Sequence, residues 1–171
     1  MSLTYLRNAT PHDLSAISQI INDAKTYLFN ARIDQWQDAY PNRQQLEADI
    51  LHQQSYVLIV QKQIAATAVL MSQPEANYQH IQGAWQSSQP YITIHRVAVS
   101  QQFSGQHLSR ILFSNLISIA YQGDWRNFRI DTHPDNYRMQ HLITQNGFQY
   151  RGIIHLNDAA KSQRWAYELN L

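Results

Sequence analysis

A chain of 171 residues with a formal net charge of +1 and only 15% charged side chains carries no excess of Lys and Arg to neutralise a phosphate backbone or an anionic lipid surface. This argues against nucleic acid and membranes as partners. The absence of Cys excludes disulfides, a thiolate nucleophile and thiolate metal sites. The length is that of one domain over residues 1–171, with 44% hydrophobic residues to supply its core.

The first residues show no basic segment followed by an apolar run, so no signal peptide is expected. No apolar stretch approaches the roughly 20 residues that span a bilayer. A cytoplasmic protein follows from these readings.

Residues 3–7 form a short strand candidate. Thr10, Pro11 and Asp13 then mark a helix start, with Thr10 at the N-cap, Pro11 in the first turn and an acid three residues after the cap. Leu14, Ile17, Ile20, Ile21, Ala24 and Leu28 recur at helical spacing and give one apolar face. Residues 31–40 are irregular and carry Trp36 and Tyr40. Asn42 reads as a second N-cap, with Leu46, Ile50 and Leu51 on a helix over 43–53. Residues 55–60 and 64–71 are rich in β-branched and apolar side chains, and the short 61–63 link predicts a hairpin.

Residues 72–90 form a long polar loop punctuated by Tyr78 and Trp85, and loops of that length in a compact domain are often functional. Residues 91–99 form a strand that alternates first and is then continuously apolar. The polar loop 100–107 leads into the best helix of the chain, 108–121, with Leu108, Ile111, Leu112, Leu116, Ile117 and Ala120 on one face. Residues 128–131 form a short strand. A helix over 136–146 ends at Gly147, which suits a left-handed cap. Residues 148–154 and 164–169 close the chain as strands, with a turn around Asn157 and Asp158. The sum is a mixed sheet covered by helices. Its central strand–helix–strand unit, built from 91–99, 108–121 and 128–131, forms a parallel pair with a right-handed crossover. In that unit the loop 101–107 and the N-terminus of the following helix present free N–H groups and the positive end of the helix dipole to an anion. The same segment also serves as a plain strand-to-helix connection.

Three pieces carry a family resemblance. The first is Arg96, Val97, Ala98, Val99 and Ser100 at the end of the central strand. The second is Phe103-Ser-Gly-Gln-His-Leu-Ser-Arg-Ile-Leu112, and the third is Asn136 followed by Gly147 and Phe148. With the order of elements, they resemble the GNAT superfamily of acyl-CoA-dependent N-acetyltransferases over nearly the whole chain. Gln35-Trp36, Tyr40-Pro41, Gly83-Ala-Trp85 and the run from Ile130 to Asn136 look like a bacterial GNAT subgroup of unassigned substrate. The resemblance implies an α/β (α+β) fold: a mostly antiparallel twisted sheet flanked by helices around the parallel unit. It also implies transfer of an acetyl group from acetyl-CoA to a primary amine of a small molecule or peptide by direct transfer. A non-catalytic acyl-CoA sensor on the same fold is the alternative, and a homodimer is left open.

For cofactor contacts the resemblance implicates the backbone of Val97, Ala98 and Val99, which also pair as plain core strand residues. It implicates too the loop Ser104, Gly105, Gln106, His107, Leu108 and Ser109, together with Asn136, whose other reading is a helix N-cap. The sequence departs from the family at four positions. His107 and Ser109 stand where small residues are usual, Ser104 where Arg or Gln is common, and Ile143 where a Tyr often protonates the leaving thiolate.

Acetylation needs a neutral amine. An alkylamine near pKa ~10.4 must lose its proton, and an imidazole near pKa ~6.5 can take part in removing it. His95 and His133, from the two strands that flank the cofactor, are the candidates, and a His satisfied by backbone groups is the competing reading of each. Trp36, Tyr40, Tyr78 and Trp85 either cover the edge of the core or wall an acceptor pocket and stack on a cation. No His spacing supports a metal site, and none is expected.

Overall fold

A computed structural model describes residues 3–158 and 162–171. Residues 1 and 2, where the N-terminal reading began, lie outside them, as do residues 159–161 in the final turn. The chain falls into two compact units that interleave along the sequence. One takes the residues up to Leu70 with His95–Leu116, and the other takes Met71–Ile94 with Ile117–Leu171.

The first unit opens with β1 (Thr4–Asn8), a 3-10 turn at Pro11–Asp13 and α1 (Leu14–Asn30). Asp13 accepts from both the N–H (2.7 Å) and the hydroxyl (2.9 Å) of Thr10, and Arg7 grips its carboxylate at 2.7 and 2.9 Å. The Arg7 hydrogen bonds, foremost, hold the Asp13 carboxyl down to about 2. α2 (Arg43–Leu51) starts at Asn42, whose side chain accepts from the Gln45 N–H at 2.9 Å. β2 (Ser55–Val60) and β3 (Gln63–Met71) form the expected hairpin. Its two-residue turn places Gln61 at φ 50° and Lys62 at φ 68°, the left-handed pair that matches strand twist. β1 pairs antiparallel with β2. The core joins Leu14, Ile17, Ile20 and Ile21 of α1 to Leu46 and Ile50 of α2, Val57 and Ile59 of β2, and Ala98. The one face read from helical spacing is therefore the buried one.

β5 (Ile92–Val99) and α3 (Leu108–Gln122) each contribute residues to both units. In the second unit, β5 pairs in parallel with β6 (Asn127–Thr132) at Ile92↔Phe128 and Thr93↔Arg129. α4 (Tyr137–Gln145) follows. β7 (Gln149–His155) and β8 (Gln163–Asn170) pair antiparallel, and β8 pairs antiparallel with β6. Eight strands and four α-helices among the described residues thus give the mixed, mostly antiparallel α/β class expected.

The long 72–90 segment is more structured than its composition predicts. It contains a 3-10 turn at Ala76–Tyr78 and a two-residue strand, β4 (Gln82–Gly83), paired with β7. Glycine permits this pairing. A Cβ on Gly83 would lie 2.1 Å from the Arg151 carbonyl, and one on Gly152 would lie 2.2 Å from that of Gln82. Both glycines also hold positive φ, at 139° and 151°. Two residues are too few for any alternation to register.

Gly152→Ala should detach the β4 edge and destabilise the protein by about 1–3 kcal/mol. Urea unfolding measures the loss, and faster exchange of the Ala84 amide, bonded to the Arg151 carbonyl at 3.2 Å, locates it. Asp13 supplies a pH test. Its carboxyl is depressed from 3.8 to about 2, so the stability from its ion pair is full above the unfolded value and is lost as pH falls through the folded one. The stability gap between wild type and Asp13→Asn should narrow between about pH 4 and pH 2. A constant gap would contradict this account.

Candidate active site

In the first unit, the end of β5 is bent at Arg96, which holds φ 52°, a left-handed conformation rare inside a strand. Its side chain is held in place on several sides. Nε and Asp49 Oδ2 form an ion pair at 2.7 Å, with side chains only 4% and 3% exposed. Nη2 donates to Asp49 Oδ1 at 2.8 Å, and Nη1 donates to the Tyr40 hydroxyl. Gln45 adds a 3.0 Å hydrogen bond to Asp49. Arg96 thereby ties the bend in β5 to α2 and to the Tyr40 segment. Beyond it, Val97 and Ala98 are buried and Val99 is half-buried. The Ser100 N–H donates to the Ala65 carbonyl at 2.8 Å.

The loop after β5 makes a 3-10 turn at Gln101–Phe103, and Phe103 is buried beneath it. The Phe103 and Ser104 amides are used within that turn, donating to Ser100 and Gln101. Arg110 donates to the His107 carbonyl at 3.1 Å, whereas the amides of Gly105, Gln106, His107, Leu108 and Ser109 make no backbone hydrogen bond among the described residues. Gly105 at φ 79° and His107 at φ 55° turn the chain into α3. Ser104, Gly105, Gln106 and His107 are exposed, and Leu108 anchors the helix start in the interior. The result is an exposed run of amides at a helix N-terminus, which suits an anion. His107 occupies its small-residue position with a left-handed backbone and an outward side chain.

In the second unit, Asn136 is the N-cap of α4, accepting from the Met139 N–H at 3.2 Å. The capping reading therefore holds, and the side-chain oxygen is engaged. His133 Nδ1 accepts from the Asp135 N–H at 3.1 Å. In the neutral ring that nitrogen carries the lone pair a general base needs, so the lone pair is already in use. His95 is half-buried on β5 in the first unit, whereas His133 belongs to the second. Ile143 is fully buried, so no proton donor stands at that position.

The four aromatic candidates divide. Trp36, at φ 62°, packs on the first unit's core, and Tyr40 is 39% exposed with its hydroxyl on Arg96. Tyr78 is 2% exposed and donates to Asp131 at 2.6 Å. Burial, and then the Asp131 charge, push its phenol well above the ordinary tyrosine range. It is an interior prop rather than a wall. Trp85 donates through Nε1 to the Tyr78 carbonyl at 3.0 Å and packs against the Tyr78 ring at 5.3 Å.

A second buried cation stands behind Trp85. Arg129 lies over the rings of Trp85 and Tyr91 at 4.0 and 3.9 Å. Its Nε reaches Glu168 at 3.3 Å, and its Nη2 donates to the Ser87 carbonyl at 2.8 Å. Glu168, with a wholly buried side chain, also meets Arg151 at 3.3 Å and accepts from the Gln86 N–H at 2.6 Å. Neither arginine cluster was read from the sequence. The available signal was a charge set inside an apolar strand, at Arg96, Arg129 and Glu168, which is costly unless paired. Among the described residues no group of three or more His, Cys, Asp or Glu side chains is placed to hold a metal, and no helix is long and apolar enough to cross a membrane.

An antiparallel sheet with one parallel strand–helix–strand unit sets an amide-lined turn at the N-terminus of that helix, an arrangement that suits a phosphate-bearing ligand. The sequence profile of the acetyltransferase (GNAT) family matches residues 16–148, and the chain belongs to that family. Its structure is similar to an acetyltransferase of the GNAT family from Streptococcus agalactiae, with TM-score 0.89 and 32% identity, covering 98% of this chain and 95% of that one. It shares its fold with yncA of Salmonella typhimurium, solved with its cofactor acetyl-CoA, at TM-score 0.71 and 18% identity, covering 98% and 94%. It also shares its fold with the aminoglycoside acetyltransferase AAC(6')-Ib solved with coenzyme A and kanamycin, at TM-score 0.68 and 17% identity, covering 98% and 95%. No curated protein matches the chain.

Asp49→Ala should cost about 3–5 kcal/mol, because it leaves the Arg96 guanidinium buried without its counter-charge. The double variant Asp49→Leu/Arg96→Met should lose less than that single change. Paired urea titrations compare the two, and an additive double loss would refute the account.

Proposed function

We propose that this protein transfers the acetyl group of acetyl-CoA directly to a primary amine of a small molecule or peptide. The observation that carries the reading is the run of amides from Gly105 to Ser109, unbonded to backbone at the start of the 15-residue α3. These N–H groups and the helix dipole would receive the pyrophosphate of the cosubstrate. The exposed His107 side chain leaves the backbone accessible. The edge of β5 over Val97, Ala98 and Val99 would run beside the pantetheine arm and offer an N–H to the oxyanion. Asn136 would contribute through the end of α4 that it caps.

The amine nitrogen attacks the thioester carbonyl once its proton has left, and collapse of the tetrahedral intermediate expels the CoA thiolate. Holding both reactants in one site supplies much of the acceleration. His95 or His133, or a water that one of them orders, would serve as the base; His133 meets the Asp135 N–H through Nδ1. Trp36 and Tyr40, both in the first unit, keep exposed area to meet the acceptor. The buried Ile143 favours a second reading, in which the fold binds acyl-CoA without turnover.

Acetyl-CoA should raise the melting temperature in a saturable manner, and thiol release should appear with at least one member of a broad amine panel. A shift without thiol release favours the sensor, and the absence of any shift defeats both readings. His95→Gln should lower kcat by about a hundredfold or more while leaving acetyl-CoA binding intact. His107→Gly, which suits the left-handed backbone better, should retain or tighten that binding.

A further inference from the structure

We infer that the depression lined by Trp85, Ser87, Ser88, Gln89, Tyr91 and Arg129 is a binding site for a carboxylate carried on a flat or apolar group. It has a volume of about 390 Å³ and lies wholly within the second unit. Among its lining residues the one formal charge is that of Arg129, which is 6% exposed. Two of the five guanidinium N–H groups are directed inward, from Nε to Glu168 and from Nη2 to the Ser87 carbonyl. No described residue supplies an acceptor for Nη1.

Both neighbouring rings already carry this internal cation on their faces. A second cation brought to Trp85 would therefore meet a fixed positive charge in place of an empty π-face. The chemistry that complements the depression is the reverse. An anionic, planar acceptor meets the guanidinium edge, the Ser87 and Ser88 hydroxyls and the Gln89 side-chain NH2 supply further donors, and ring edges cover the remainder of the ligand. A guanidinium that is locked in plane by Glu168 and two rings loses little freedom on binding, which favours forked recognition of a carboxylate. Glu168 neutralises part of the field, but it is shared with Arg151 and with the Gln86 amide, so the cluster retains positive charge at its lining. The inference stands apart from acetyl transfer, since it uses none of the loop from Gly105 to Ser109.

The test follows the side-chain N–H signals of Trp85 and Arg129 in the full-length protein by ¹H–¹⁵N NMR while indole-3-acetate, indole-3-acetamide or inorganic phosphate is titrated. The carboxylate should give a saturable shift, and the amide should bind about tenfold more weakly or worse, having lost the charge-assisted hydrogen bonds. Arg129→Lys should weaken binding by removing the fork. Because that change also touches the buried pair with Glu168, Ser88→Glu is the second variant. It sits at an exposed position and places a competing carboxylate at the lining. It should abolish the shift while leaving the unfolding midpoint unchanged. Equal binding of acid and amide, no saturable shift, an unaffected Ser88→Glu variant, or phosphate binding in preference to the carboxylate would each overturn the inference.

Discussion

Each of the two units is built around an arginine that a strand carries into an apolar interior. A guanidinium left unpaired in such a place costs several kcal/mol, so its partners are fixed as tightly as the charge itself. Arg96 requires Asp49, which requires α2 to present that face, and Gln45 then trims the carboxylate from one turn earlier. Arg129 requires Glu168, and Glu168 with two guanidiniums and the Gln86 amide around it pins β6, β7, β8 and the segment after β4 to one another. A hydrophobic replacement could match the stability of either pair. What the charged version adds is register: a strand slipped by one residue would strand a charge. That specificity matters most where backbone amides must be held in place.

The bend at Arg96 and the turn into α3 make the same point through backbone geometry. Arg96 and His107 both occupy left-handed conformations that cost a non-glycine residue free energy. In the first case the side chain's ion pair and its hydrogen bond to Tyr40 over-determine the conformation. In the second, Phe103 and Leu108 are buried on either side of the exposed turn and anchor its two ends. A turn anchored by apolar residues can expose its amides without collapsing onto them. Loss of the usual small residue at 107 therefore changes the turn's energy more than its accessibility.

How much of this was legible from the residues alone follows from the range of the physics involved. Apolar periodicity is local, so α1, α3, the β2–β3 hairpin and the parallel unit were readable at once. Caps are local too, and Asn42 and Asn136 declared themselves. β4 was not readable, because it exists only where Gly83 and Gly152, far apart in sequence, approach more closely than side chains allow. The arginine pairs were not readable for the same reason: Arg96 finds Asp49 across 47 positions and Arg129 finds Glu168 across 39. Tyr78 shows the limit of composition. A tyrosine in a polar loop reads as a cover for the core edge or as a pocket wall, yet its hydroxyl has Asp131 to satisfy it and its ring is interior.

The buried Ile143 bears on the chemistry less than its place in the family pattern implies. For acetyl transfer to an alkylamine, the two proton movements are unequal. An amine near pKa ~10.4 is about three units from losing its proton at neutral pH, a cost of about 5 kcal/mol, whereas a thiol near ~8.5 leaves as an anion at a cost of about 2 kcal/mol, less than half of that. A site with a poor acid loses little, and one with no base or water path for the amine loses much more. A base or water path for the amine proton is therefore the part of the proposed chemistry on which turnover would depend most.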